Sequence, residues 1–322
     1  MLRYLTLRLV YIVPVLLFAS MISFGLAKLA PGDITLTLLG PYASENDRQA
    51  LRQELALDQP VYVQYAYWFA RALQGDLGRS IEMRAPVSRI LADKFKNTLV
   101  LGLAAFSLAF VFGIGAGILS ALKQSSLTDR SIQVTVTFLA TMPVFWLGLA
   151  LIYVFAINLR LLPTGRMEPV SGGGDIFTLL RHLILPALAT AAIPAAIIAK
   201  STRSSVMGVM REDFVLVARA KGLPERVVQF RHVLKAAAPN LLYVSGLQFA
   251  YLIGGTVVFT EVIFSWPGIG MQIFNAVASR DVPMIQGIVL LAALVSVITN
   301  LVVDLLHPML DPRVTVANTE VV

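Results

Sequence analysis

Six stretches of this 322-residue chain hold no Asp, Glu, Lys or Arg: 9–27, 97–122, 131–159, 183–199, 236–260 and 282–303. A helix needs about 20 apolar residues to cross the hydrocarbon of a bilayer. Inside that layer only helices and closed barrels satisfy their own backbone. The spacing predicts an all-α, polytopic membrane protein with six transmembrane helices. The fourth stretch is the shortest, but it extends through His182 and past Lys200, whose long stem carries its ammonium to the interface. Composition agrees: 14% of residues are charged, against about 25% in soluble domains.

The first stretch follows Arg3 and Arg8, which also suits a secretory signal. Its apolar run is long for such a signal, and Ala27-Lys28-Leu29 is a poor cleavage site, so a retained first helix is expected. Residues 30–96 are polar and mixed in charge. Ser44-Glu45-Asn46-Asp47 has the form of a helix start, and Pro60 opens a second amphipathic piece with Tyr62, Tyr65, Tyr67, Trp68 and Phe69. That piece reads as an interfacial helix steadying the bundle, or as a docking surface for an external partner.

Three stretches carry a small residue at every fourth position: Ala105, Ala109, Gly113, Gly117 and Ala121; Ala187, Ala191, Ala195 and Ala199; Gly246, Ala250 and Gly254. This spacing puts them on one helix face, where they let backbones approach closely. Close packing is their expected role. Kinks are expected at Pro143, Pro186 and Pro194.

Basic residues set the orientation. With the N-terminus cytoplasmic, segments 1–8, 123–130, 200–240 and 304–322 are inside and hold 13 of the 26 Lys and Arg, while outside loops 160–181 and 261–281 hold four. The remaining nine lie in 28–96, beyond the roughly 60 residues over which the positive-inside rule operates. Both termini are expected in the cytoplasm and 30–96 outside. The net charge of +7 thus follows the membrane rule, and no nucleic-acid partner is implied.

The chemistry is narrowed by what is missing. The sequence has no Cys and three scattered His residues, so no metal site is expected. It has no Gly-x-x-x-x-Gly-Lys-[Ser/Thr] loop, no Gly-x-Ser-x-Gly elbow and no His-Glu-x-x-His. The second, third and fourth stretches lack the mid-membrane carboxylate of a proton or sodium relay. Neither an enzyme nor a self-powered pump is indicated: either the pathway is passive or its energy is supplied by another chain. The polar segment 203–240 is a place to receive it. It reads as two short helices broken once, with Gly222 supplying a left-handed helix end and Pro224 the first turn of the next helix.

At this point the residues resemble a known family. Glu212-Asp213-Phe214, Ala218-Arg219-Ala220-Lys221-Gly222-Leu223, His232-Val233-Leu234 and Pro239-Asn240 are similar to the Glu-Ala-Ala-x-x-x-Gly signature of ABC importer permeases, in its oligopeptide/dipeptide version and of the first-permease type. The chain departs from the general pattern in having Leu216 and Val217 where Glu and the first Ala stand. Its later Pro falls at 239. Further similar segments run from residue 1 to Arg313: Pro31-Gly32-Asp33, Gly75-Asp76-Leu77-Gly78-Arg79-Ser80, Leu162-Pro163-Thr164-Gly165, Glu261 through Gly270, Arg280-Asp281-Val282-Pro283 and Asp311-Pro312-Arg313.

The resemblance implies a type I importer permease fold. It divides into 1–29 (tail and first span), 30–96 (extracytoplasmic), 97–313 (core, with coupling loop 203–240) and a 314–322 tail. It implies a non-catalytic subunit of the prokaryotic cell (inner) membrane that pairs with a second, homologous permease. Two ATPase subunits dock inside and bind the ATP, and a substrate-binding protein delivers cargo from outside. This chain needs no cofactor of its own. Glu212, Asp213, Ala218, Arg219, Ala220, Lys221, Gly222, Leu223 and Pro224 become the ATPase-coupling residues. Glu261, with Phe264 and Trp266, either lines the outer mouth of the pathway or fixes the turn up to Gly270, the two rings serving as interfacial anchors. Asp311 and Arg313 brace the tail or touch an ATPase. The alternatives are a stand-alone secondary carrier or channel, and a membrane scaffold without flux.

Overall fold

The computed structural model describes residues 2–29, 44–54, 58–168 and 175–310. Pro31-Gly32-Asp33 and everything beyond Leu310 lie outside the described residues. In chain order the elements are α1 (Leu2–Leu29), α2 (Glu45–Glu54), α3 (Val61–Leu73), α4 (Val87–Leu122), α5 (Leu127–Thr141) and α6 (Val144–Leu151), the last running on through π-helical turns at Ile152–Asn158. Then come α7 (Ile176–Val209), α8 (Asp213–Ala220) and α9 (Glu225–Val227), which passes through a π-helical stretch at Val228–Val233 into α10 (Leu234–Tyr251). A second π stretch (Leu252–Thr256), α11 (Val257–Ile263), α12 (Ile269–Ala278) and α13 (Val282–Leu310) complete the described chain.

Local chemistry sets several of these boundaries. Ser44 caps α2, its Oγ accepting from the Asp47 N–H, and α3 starts directly after Pro60. Ser126 caps α5 in the same way through Asp129 N–H. Asp175 caps α7, accepting from the N–H and the hydroxyl of Thr178. Such a cap satisfies one of the N–H groups that a helix start leaves without a partner.

The charge-free stretches locate helices but not their ends. α4 begins at Val87, well before residue 97, and its 36 residues make a rod of about 54 Å. α7 runs past both ends of 183–199 and continues unbroken through Pro186 and Pro194. The stretch 131–159 is not a straight span: the chain turns by 108° between Thr141 and Val144. The cause is Pro143, which cannot continue a helix and pushes the residue before it out of the α region; Met142 sits at φ −72°, ψ 131°. By length and composition α4, α7 and the 282–305 part of α13 can each cross a bilayer. The two bent pairs, 127–158 and 225–263 (bent by 50°), raise the number to five. In α1 the apolar part, Ile12–Gly25, is shorter.

Contacts divide the chain into two compact units, residues 98–267 with 296–322, and residues 2–97 with 268–295. In the second unit α3 lies on α1: Phe24 meets Tyr65 at 5.6 Å and Trp68 at 5.7 Å between ring centres, and Ser20 shares a hydrogen bond with the Tyr65 hydroxyl. Part of the aromatic set is therefore spent on intramolecular packing. Tyr62 and Tyr67 remain exposed. The loop after α3 is held by Asp76, which pairs with Arg71 and accepts from the Gly78 N–H at 2.9 Å. That N–H, then Arg71, holds the Asp76 carboxyl below the usual carboxylate range. Buried Asp281 takes hydrogen bonds from Ser80, Glu82 N–H and Met284 N–H, tying this loop to the start of α13. Val87, Leu91, Ala276, Met284 and Ile288 form the core beneath.

In the first unit the small residues of α4 meet those of α7. Ala105 and Ala109 are fully buried against Ala191 and Ile198. A Cβ on Gly113 would fall 2.8 Å from the Ala195 carbonyl oxygen, and one on Gly117 2.6 Å from that of Ala199. Gly246 and buried Ala250 belong to α10 and Gly254 to the π stretch after it, with Val303 of α13 against Gly246 and Ser296 against Gly254.

Candidate functional site

The segment 203–240 is more helical than two short pieces. Its first residues belong to the last turns of α7, and from Glu225 the chain runs helically into α10. Only α8 stands apart, joined to α7 by Met210-Arg211-Glu212 and to α9 by four residues. Its C-terminus is a full Schellman closure: the Gly222 N–H reaches Arg219 O at 2.9 Å and the Leu223 N–H reaches Ala218 O at 3.4 Å. Gly222 has φ +75°, which costs glycine nothing and an L side chain roughly 1–2 kcal/mol. Pro224 then supplies the residue before α9, with its carbonyl accepting from Val227 and Val228 N–H. Arg219 closes the corner with two hydrogen bonds to Glu225, at 3.1 and 2.9 Å.

α8 has two faces. Val215 and Ala218 point inward and pack with Ala121, Val206, Val228, Val233, Ala237 and Leu241. Burying a Val side chain contributes about 1.5–3 kcal/mol, so this small contact is enough to hold a helix too short to persist alone. Outside that stripe Phe214, at its edge, is 45% exposed, and Leu216 and Val217, on the far side, are 55% and 52% exposed, with Phe230 of the neighbouring π turn at 62%. Glu212, Asp213, Ala220, Lys221, Leu223 and Pro224 are exposed around it. This is an apolar surface with a charged rim on a helix that is fixed at its base.

The base includes an ion pair that the sequence does not announce. Asp129 of α5 is buried and receives two hydrogen bonds from Arg203 of α7, each 2.9 Å. It also accepts from Ser120 Oγ and, at 3.0 Å, from Ser125 N–H, while Gln133 donates to Ser120. α4, α5 and the end of α7 are thereby clamped together. The Ser126-Leu127-Thr128-Asp129 capping pattern is a visible signal for Asp129; its partner, 74 residues away, has none.

Glu261, Phe264 and Trp266 are all in the interior, with 0%, 1% and 0% exposure. The expectation of interfacial ring anchors is corrected: Trp266 packs with Leu101, Leu183, Ala187 and Val257, and Phe264 with Leu185 and Ala189. Thr98 Oγ donates to the Glu261 carboxylate at 2.7 Å, and the Glu261 carbonyl accepts from Trp266 N–H at 2.8 Å. Leu162-Pro163-Thr164-Gly165 belongs to the same knot. A Cβ on Gly165 would collide with the Phe264 oxygen, which accepts from Arg166 N–H, and His182 bonds the Gly165 carbonyl. The rings read as interfacial because they follow a charge-free stretch; tertiary packing against α7 decides otherwise.

A groove of about 720 Å³ runs along α10 and α13, lined by Phe145, Leu247, Tyr251, Phe259, Ser296 and Asn300 among others, with no charged residue. A second cavity, of about 320 Å³, lies where α7 leaves its apolar stretch. No cluster of His, Asp or Glu able to hold a metal is found among the described residues.

Comparison with known proteins agrees with this architecture. A family described as binding-protein-dependent transport system inner membrane component matches residues 113–316, and the N-terminal part of such components matches 1–102. The oligopeptide transport system permease protein AppB of Bacillus subtilis (strain 168) is 37% identical over 315 residues, covering 98% of this chain and 99% of that one. The dipeptide transport system permease protein DppB of Alkalihalophilus pseudofirmus is 38% identical, with the same coverage. The glutathione transport system permease protein GsiC of Escherichia coli (strain K12) is 37% identical over 314 residues, again covering 98% and 99%. Among solved structures, the inward-facing MetNI methionine ABC transporter matches with a TM-score of 0.56 at 13% identity, over 69% of this chain and 96% of that one, a likeness of fold.

Proposed function

This chain belongs to the binding-protein-dependent transport system inner membrane components and is a multi-pass permease subunit of an ABC importer, and from that premise we propose that α8 is where the work of partner ATPases enters the membrane. The observation that carries this reading is the division of α8 into a buried and a displayed face. Val215 and Ala218 fix it to the core while Phe214, Leu216 and Val217 stay uncovered. An exposed apolar patch with a polar rim is the usual mark of a protein interface. Leu216 and Val217, which replace the Glu and Ala of the general signature, make docking here depend on apolar burial.

Family membership supports the following reading of the rest of the assembly. The chain pairs with a second, similar permease to enclose the pathway, both termini and α8 face the cytoplasm, and residues 30–96 face out toward a substrate-binding protein. Six crossings are counted by treating α1 as a span and each bent pair as one. Two ATPase subunits bind and hydrolyse ATP, and this chain supplies path and lever without a cofactor. The cargo is a peptide or similar small solute, as in the names of the full-length relatives. The uncharged groove with Tyr251, Ser296 and Asn300 suits a path for solutes of variable charge, and it replaces Glu261 as the candidate lining.

The test is ATP-driven uptake by the assembled transporter carrying Leu216→Asp and Val217→Asp. A carboxylate buried against an apolar partner costs several kcal/mol, so uptake falls at least about a hundredfold with membrane levels unchanged. Normal uptake by that variant contradicts the proposal. A stand-alone carrier would move solute without ATPases, which the family membership argues against.

A further inference from the structure

The cavity of about 320 Å³ beside the last turns of α7 is lined by Gln133, Lys200, Arg203, Ser204, Met207, Gly208 and Arg211. Lys200, Arg203, Ser204, Met207, Gly208 and Arg211 recur at helical spacing and so share one face of α7 and the turn that follows it. Arg203 is neutralised by Asp129. The side chains of Lys200 and Arg211 have no ion-pair partner among the described residues. The cavity therefore carries two uncompensated positive charges. Ser204 and the half-buried Gln133 add neutral hydrogen-bonding groups. Gly208 leaves open space, since a Cβ there would meet nothing within 4 Å. Height along the helix narrows the ligand: Lys200 directly follows the charge-free stretch 183–199, which puts the cavity at the membrane–water boundary.

We propose that this cavity binds the phosphate headgroup of an anionic phospholipid, with Lys200 and Arg211 as the cationic pair and Ser204 as a neutral donor. Basic pockets between helices at this level recognise such headgroups, and just before Lys200 the side chain of Ile197 leaves exposed apolar surface. The site sits on the last turns before α8 and next to the Asp129–Arg203 clamp, so an occupied site steadies the base of the coupling helix. The inference rests on the membrane-spanning reading of α7 but not on ATPase docking at α8.

The experiment places the purified, assembled transporter in phosphatidylcholine nanodiscs containing a photoactivatable phosphatidylglycerol, without nucleotide, and maps the labelled peptides. Labelling within 200–211 is expected. It falls about 10- to 30-fold in Lys200→Gln/Arg211→Gln, the loss two surface cations imply, and is retained in Lys200→Arg. If the double variant fails to assemble, each single variant is expected to lose several-fold. Leu216→Asp is expected to label normally while losing uptake, which separates this inference from the coupling proposal. Equal labelling by photoactivatable phosphatidylcholine overturns it, as does undiminished labelling in the double variant. So does displacement of the lipid by millimolar inorganic phosphate, which would mark a soluble-anion site. Crosslinking of positions 200 and 211 to another subunit in place of lipid would assign the cations to a protein interface and overturn it as well.

Discussion

Gly222 separates two kinds of substitution. With φ +75° and open space where a Cβ would stand, Gly222→Ala meets only the left-handed penalty, about 1–2 kcal/mol, and is expected to lower uptake modestly. Gly222→Pro cannot adopt that φ and loses the N–H that reaches Arg219; it is expected to abolish uptake while the protein stays inserted, as read by membrane immunoblot and transport together. At Asp129, substitution by Asn removes the counter-charge of Arg203 and is expected to destabilise the purified protein by about 1–3 kcal/mol, seen as a lower melting temperature in detergent. On the proposed reading Glu261 is a structural acceptor. Glu261→Gln still accepts from Thr98 and is expected to transport normally, whereas Glu261→Leu leaves a buried hydroxyl without that acceptor and melts earlier. The Asp76 corner has a defined pH response. Its carboxyl titrates below the ordinary range because the Gly78 N–H and Arg71 favour the charged form. Its contribution is present above the unfolded value near 3.9 and fades only as pH falls through the lower folded value. Protection of the Gly78 amide from exchange is expected to persist across the neutral range.

Among elements, α4 and α7 depend on close backbone approach. A Cβ at Gly117 would already lie 2.5 Å from Thr202 Cβ, so Gly117→Leu forces the helices apart at a cost of at least about 1–3 kcal/mol and is expected to lower membrane levels, whereas Gly115→Leu, whose Cβ meets nothing, is tolerated. In the α10–α13 groove, Asn300→Leu and Tyr251→Phe are expected to change uptake while leaving ATPase assembly intact, measured by transport beside co-purification. Charge-free runs are a sound guide to where helices lie because a bilayer penalises every charge alike. They are a poor guide to helix ends, since α4 and α7 extend into polar surroundings where hydropathy carries no signal. They are blind to the 108° elbow, although Pro143 marks a kink. Small-residue spacing is legible because the requirement is local: a face with no side chain to obstruct a neighbour. The Asp129–Arg203 clamp is not, because its partners are brought together only by the packing of α5 on α7.

On the proposed reading, the whole molecule is a machine whose energy source is another chain. The sequence has no phosphate-cradling loop, and α8 shows apolar side chains at the end of a clamped, core-packed base. The position of Gly222 and the absence of nucleotide motifs are readable from sequence, while the exposure of Leu216 and Val217 requires the fold. Because the chain has no cysteine, a single reporter thiol can be introduced with no competing thiol in this chain. The most direct test is to place Val217→Cys in the assembled transporter, attach a benzophenone maleimide and irradiate in membranes. The account predicts an adduct with the ATPase subunit, identified by mass spectrometry, and none from a reporter at Tyr62, a residue on the segment assigned to the opposite side. An adduct with lipid or the second permease alone, and no ATPase adduct, would contradict it.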